Sequence, residues 1–150
     1  MKTKKSLFML YFMINLSVIG GCENEVYPEA IIVKEFPKIN VIGNNTESII
    51  IQSQRELEAV FTHEELQLVT DFQQINFSKY TLLLGYGKYG NEVSNMEHSF
   101  VKTGMSTYTY LLKLAGSATR PDSFRFGILV LKLPKSVKVT FKIEELNLKN

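Results

Sequence analysis

Leu57, Val60 and Phe61 recur at helical spacing, whereas from Tyr80 onward the apolar positions either run together or alternate one by one. The first pattern follows Ser53-Gln54-Arg55-Glu56, where a serine side chain can accept the Glu56 amide while Glu56 reaches back to the Ser53 amide. That is a capping box, and it predicts a short amphipathic helix. Thr62-His63-Glu64-Glu65 repeats the device ahead of Leu66 and Val69 and predicts a second, brief helix. Tyr80-Thr81-Leu82-Leu83-Leu84 is a continuous run of strand length, as expected of a strand buried on both faces. Tyr108, Tyr110, Leu112 and Leu114 alternate with Thr107, Thr109, Leu111 and Lys113, which puts the first set on one face of a sheet. Val137, Val139, Phe141 and Ile143 alternate in the same way with Lys138, Thr140, Lys142 and Glu144.

Weaker signals complete the count. Ala30-Ile31-Ile32-Val33 is a first strand candidate that Pro37 breaks, and Gly43-Asn44-Asn45 supplies turn chemistry before Ser48-Ile49-Ile50-Ile51. Residues 87–91 read as a turn, Glu92 to Lys102 as a strand, Thr103 to Ser106 as a second turn, Ala115 to Ser123 as a loop, and Phe124 to Leu133 as a strand. Pro134-Lys135 turns the chain once more. The whole predicts a mainly β (α+β) domain: an antiparallel β-barrel or sandwich carrying one or two short helices.

The N-terminus follows a different logic. Lys2, Lys4 and Lys5 form a basic flank, Leu7 to Ile19 a short apolar segment, and Ile19-Gly20-Gly21 leads to Cys22, the only cysteine. The segment is too short, and too interrupted by Asn15 and Ser17, for a spanning helix of roughly 20 apolar residues. The stretch resembles the lipobox of bacterial lipoproteins. That resemblance implies a signal peptide over residues 1–21, diacylation of Cys22, and attachment to the cell envelope at the outer membrane. Two acyl chains suffice for stable attachment. Residues 22–29, polar and acidic with Pro28 inside, read as the acylated cysteine and a flexible tether, and residues 30–150 as one β-rich domain. Glu23 and Glu25 resemble the acidic sorting signals of some surface-exposed lipoproteins.

Charge and residue usage then narrow the chemistry. Of 17 Lys and Arg, three precede Cys22, leaving 14 against 15 Asp and Glu, a near-neutral balance that argues against a nucleic-acid partner. A thioether at Cys22 cannot act as nucleophile, disulfide partner or zinc ligand. Gly85-Tyr86-Gly87-Lys88-Tyr89-Gly90 matches GxGxxG, but the residues after it lack a helical apolar stripe, and no acidic residue stands where a ribose contact belongs. His63-Glu64-Glu65-Leu66-Gln67 opens like a zincin motif and has Gln67 in place of the second histidine. Glu64 with Glu65 and Glu144 with Glu145 are neighbours that face apart, so neither is an acid/base couple. No catalytic residue, metal or cofactor is assigned, and the expectation is a protein that is not an enzyme. Tyr86 and Tyr89, with Tyr108 and Tyr110, are candidates for stacking on sugar rings, which makes a surface binder of glycans or small ligands the alternative reading.

Thr103-Gly104-Met105-Ser106 resembles the inhibitory loop of staphostatins, small barrel-like proteins that block papain-like cysteine proteases through a Gly-Thr-Ser stretch. The resemblance puts Gly104 at the substrate position before the scissile bond, with Met105 where threonine is expected. Glycine suits that position because it adopts backbone angles closed to other residues. A broader resemblance runs from Ser53 to the C-terminus. The capped helix, Asn76-Phe77-Ser78-Lys79-Tyr80, the apolar strand, the glycine-rich turn and a final hairpin around Leu133-Pro134-Lys135 are similar to the C-terminal domain of a family of non-catalytic protease-complex components, which accompany a surface protease. Both resemblances imply a non-catalytic, lipid-anchored domain that binds and inhibits or stabilises a secreted papain-like cysteine protease.

Overall fold

The computed structural model describes residues 26–146. Seven strands form two sheets: β1 (Ile32–Glu35), β2 (Ile49–Ile51), β3 (Tyr80–Tyr89), β4 (Asn95–Lys102), β5 (Thr107–Ala115), β6 (Asp122–Leu131) and β7 (Lys138–Glu145). The first sheet has the order β1-β6-β3-β2 and is antiparallel throughout. The second has the order β4-β5-β7, with β4 antiparallel and β7 parallel to β5. The domain is therefore mainly β, and it is an open sandwich; the barrel alternative does not hold, because neither sheet closes.

The first sheet is the middle layer. Leu83, Phe124, Phe126, Ile128 and Val130 point to the second sheet and meet Phe100, Tyr108, Tyr110, Leu112 and Leu114. Leu82, Leu84 and Leu129 point the other way, into a second cluster with Leu57, Val60, Phe61, Leu66 and Phe72. That second cluster is supplied by α1 (Gln54–Val60), α2 (His63–Leu68) and a 3-10 turn (Thr70–Phe72). Two-sided burial is why β3 reads as an unbroken apolar run, and the expectation for Leu82 to Leu84 holds.

Both helices begin where the caps place them. Ser53 Oγ accepts the Glu56 amide at 3.2 Å, but Glu56 reaches the Gln52 amide, at 2.5 Å, instead of that of Ser53. Thr62 and Glu65 complete the reciprocal box, at 3.2 and 2.8 Å.

The glycine-rich segment is not a turn up to Gly90. Gly85 and Gly87 lie inside β3, directly opposite Phe126 and Phe124 of β6. A Cβ on Gly85 would sit 2.1 Å from the Phe126 ring, so glycine here makes room for an aromatic neighbour across the strand pair. The turn comes later, and β4 begins at Asn95.

The expected hairpin around Pro134 is also absent: β6 and β7 belong to different sheets. Thr81 Oγ1 accepts the Leu133 amide at 3.0 Å, which fixes the exit from β6, and the chain crosses over to lie beside β5. Part of the segment read as tether is docked as well. The Tyr108 hydroxyl donates to the Pro28 carbonyl, and Lys102 Nζ donates to the Tyr27 carbonyl at 3.3 Å. Cys22 and residues 23–25 lie outside the described residues.

Candidate functional site

The tip joining β4 to β5 is where the sequence placed Thr103, Gly104, Met105 and Ser106, and the fold brings these four together as an exposed turn. Alternation along β4 and β5 decides its base: Phe100 and Tyr108 point inward and stack, with centroids 5.0 Å apart. Beyond them the amides of Thr103 and Gly104 both donate to the Thr107 carbonyl, at 2.9 and 3.2 Å. The Ser106 carbonyl accepts the Lys138 amide at 2.9 Å, so β7 braces the tip from the side. Met105 is 82% exposed, and Val101 beside the tip is 47% exposed. Two apolar side chains thus stand in water on a turn tied down at both ends.

The reason for glycine at 104 differs from the sequence expectation. Among the described residues Gly43 is the glycine with positive φ, at 77°, and Gly104 is not in that region. A Cβ on Gly104 would instead lie 2.4 Å from Thr107 Oγ1. Close approach of the threonine hydroxyl, not left-handed backbone, is what favours glycine at the tip.

Tyr86 and Tyr89 do not form one platform. They are three residues apart on a strand, so they lie on opposite faces. Tyr86 faces the Arg125 guanidinium, 6.0 Å from its ring centre, and Tyr89 packs against the core between the sheets. Tyr108 and Tyr110 are fully buried. A stacking surface built from these four side chains is therefore absent.

The two histidines are also separated, by the whole middle layer. His63 lies on α2 and shares a hydrogen bond with Gln67, at 3.2 Å. His98 lies on β4, with Nδ1 2.7 Å from the Tyr110 hydroxyl. Among the described residues no group of three metal-ligating side chains converges, and no helix is long and apolar enough to cross a membrane.

Burial lowers the His98 pKa, against a smaller opposing pull from Glu35, and burial raises that of Tyr110. His98 lines a cleft of about 360 Å³ between the sheet edges, with Glu35, Phe36, Lys38 and Met96. Lys38 Nζ donates to Asp122 at 2.6 Å nearby and holds that carboxyl below its ordinary range. A second groove, of about 650 Å³, runs along the helices past Leu57, Phe61, His63 and Leu66.

Arg125 escaped the sequence reading. It is fully buried in the middle strand β6, and burial lowers its pKa. Its guanidinium donates to the carbonyls of Ile42, Asn45 and Glu47, the last two at 2.5 and 3.0 Å, and to Asn45 Oδ1 at 2.8 Å. It thereby pins the loop between β1 and β2. The signal was a charged residue inside Phe124-Arg125-Phe126-Gly127-Ile128, an apolar run where a solvated arginine has no place.

Comparisons with protein-family models, with curated proteins and with solved structures found no match.

Proposed function

We propose that this chain is a non-catalytic, lipid-anchored binding domain that presents the β4–β5 tip to a secreted papain-like cysteine protease, inhibiting or stabilising it. The observation that carries the reading is the tip itself. Met105 is 82% exposed on a turn whose backbone is already fixed by bonds from Thr103 and Gly104 to Thr107, so docking costs little further ordering. Exposed apolar side chains on a rigid turn suit an extended substrate cleft, and Thr103 to Ser106 resemble the inhibitory loop of staphostatins. Acylation of Cys22, supported by the lipobox resemblance, would keep the domain at the envelope.

The test uses the full chain in non-ionic detergent against papain-like cysteine proteases secreted by the same cell. A complex with a Kd of about 1 μM or tighter is expected. Met105→Asp should weaken it at least about tenfold while leaving the urea midpoint unchanged, since an exposed side chain contributes little to stability. No complex at about 100 μM protease, or a complex indifferent to Met105→Asp, removes this reading.

A further inference from the structure

β7 is hydrogen-bonded along one side. The Lys138 amide donates to the Ser106 carbonyl at 2.9 Å and the Leu146 amide to the Leu114 carbonyl at 2.7 Å, so its even-numbered residues turn their backbone groups to β5. Direction alternates along a strand, and Val139, Phe141 and Ile143 therefore turn theirs to the opposite edge. Among the described residues no strand pairs with that edge.

The side chains of the same row are only partly covered. Phe141 packs 5.6 Å from the Tyr110 ring and Ile143 lies over Gly87, yet Val139 and Phe141 stay half-buried and Ile143 is 39% exposed. The cause is the shortness of β2, which covers β3 at Leu82 to Leu84 and no further. At the level of Ile143 the edge strand of the first sheet has already ended.

We propose that this edge is a two-fold interface with a second copy of the chain, β7 pairing antiparallel with its counterpart about an axis at Phe141. In that register Phe141 faces the partner's Phe141 and Val139 faces the partner's Ile143. These are the residues whose amides and carbonyls point outward, so each pair exchanges both bonds of an antiparallel ladder. On the solvent face Lys138 meets the partner's Glu144, and Thr140 meets the partner's Lys142. Moving the axis to Thr140 would set Lys138 against the partner's Lys142, and moving it to Lys142 would set that residue against its own copy. Opposite charges across a pair stabilise and like charges destabilise, so the strand Lys138–Glu145, KVTFKIEE, complements itself best in one register.

Lysines on an edge strand ordinarily guard it against pairing. Here Lys138 has Glu144 to meet, and the guard selects the alignment. The two three-stranded sheets become continuous, and because the strands run antiparallel the two β4–β5 tips point to opposite ends, free of the interface.

Sedimentation equilibrium of the full chain in density-matched non-ionic detergent, from about 1 to 200 μM, tests this. The wild type is expected to dimerise in that range. Lys138→Glu and Glu144→Lys should each weaken the dimer about tenfold, and the two together should restore it, with circular dichroism unchanged throughout. A chain monomeric at the highest concentration overturns the proposal. So does a dimer that ignores the single swaps, as one held by the N-terminal segment would, or a double variant no tighter than either single.

Discussion

Leu83 and Leu84 are sequence neighbours in β3 and both are fully buried, whereas in β5 Leu112 is fully buried and its neighbour Leu111 is half-exposed. The difference is one of layers. The first sheet lies between the helices and the second sheet, so every side chain of its central strands has a core to enter. The second sheet has one such face. Its other face carries Ser99, Thr109, Leu111, Thr140 and Lys142 toward solvent. Two-sided strands carry stability, and the one-sided sheet carries the parts that can touch another molecule: the tip at Met105 and the edge at β7.

The sharpest break of that comparison is at Arg125, the buried charge of the middle layer. Arg125→Met strands the carbonyls of Ile42, Asn45 and Glu47, and should lower stability by about 3–5 kcal/mol in urea titrations. Arg125→Lys should recover only part, because an ammonium cannot span those acceptors as a planar fork does. Next come the neighbouring leucines. Leu83→Ala, Leu84→Ala and Leu112→Ala should each cost about 2–5 kcal/mol, and Leu111→Thr about 0.5 kcal/mol or less. Equal costs at positions 111 and 112 would mean that the outer face of the second sheet is covered after all.

A smaller effect separates the sheets by pH. His98 has its pKa lowered by burial in the fold, so below the ordinary value of 6.5 the unfolded chain takes up a proton that the folded chain resists. Stability is then fully present above pH 6.5 and falls as the pH drops toward the folded-state value. His98→Gln should flatten that part of the profile in thermal melts, while His63→Gln, on the helical side, should leave it unchanged. Glu35 and Tyr110 face His98, and neither reverses the sign: Glu35 opposes the lowering by a smaller amount, and burial keeps the Tyr110 hydroxyl protonated.

Local chemistry made much of the fold legible. The caps at Ser53 and Thr62, the two-sided run at Leu82 to Leu84 and the alternation of β5 and β7 all depend on residues within one element. What escaped depends on partners far along the chain. Gly85 and Gly87 signal a turn when read alone, and become strand positions only because Phe126 and Phe124 arrive across the sheet about forty residues later. Pro134 signals a turn correctly, but nothing near it says that β7 joins the other sheet. The tip at Thr103 to Ser106 was readable as an exposed turn, while the reason for its glycine, the Thr107 hydroxyl, required the hairpin to be closed.

Tyr27 and Pro28 are held by Lys102 and Tyr108, the residues that flank the tip. Only five peptide steps separate Cys22 from Tyr27, a leash of at most about 18 Å. With acyl chains on Cys22, the tip would hover just above the lipid headgroups, and only an enzyme able to approach along the bilayer could reach it. Inserting about ten Gly-Ser residues after Asn24 should then speed capture of a soluble protease by lipid-bound protein, and leave capture by the detergent-solubilised chain as it was.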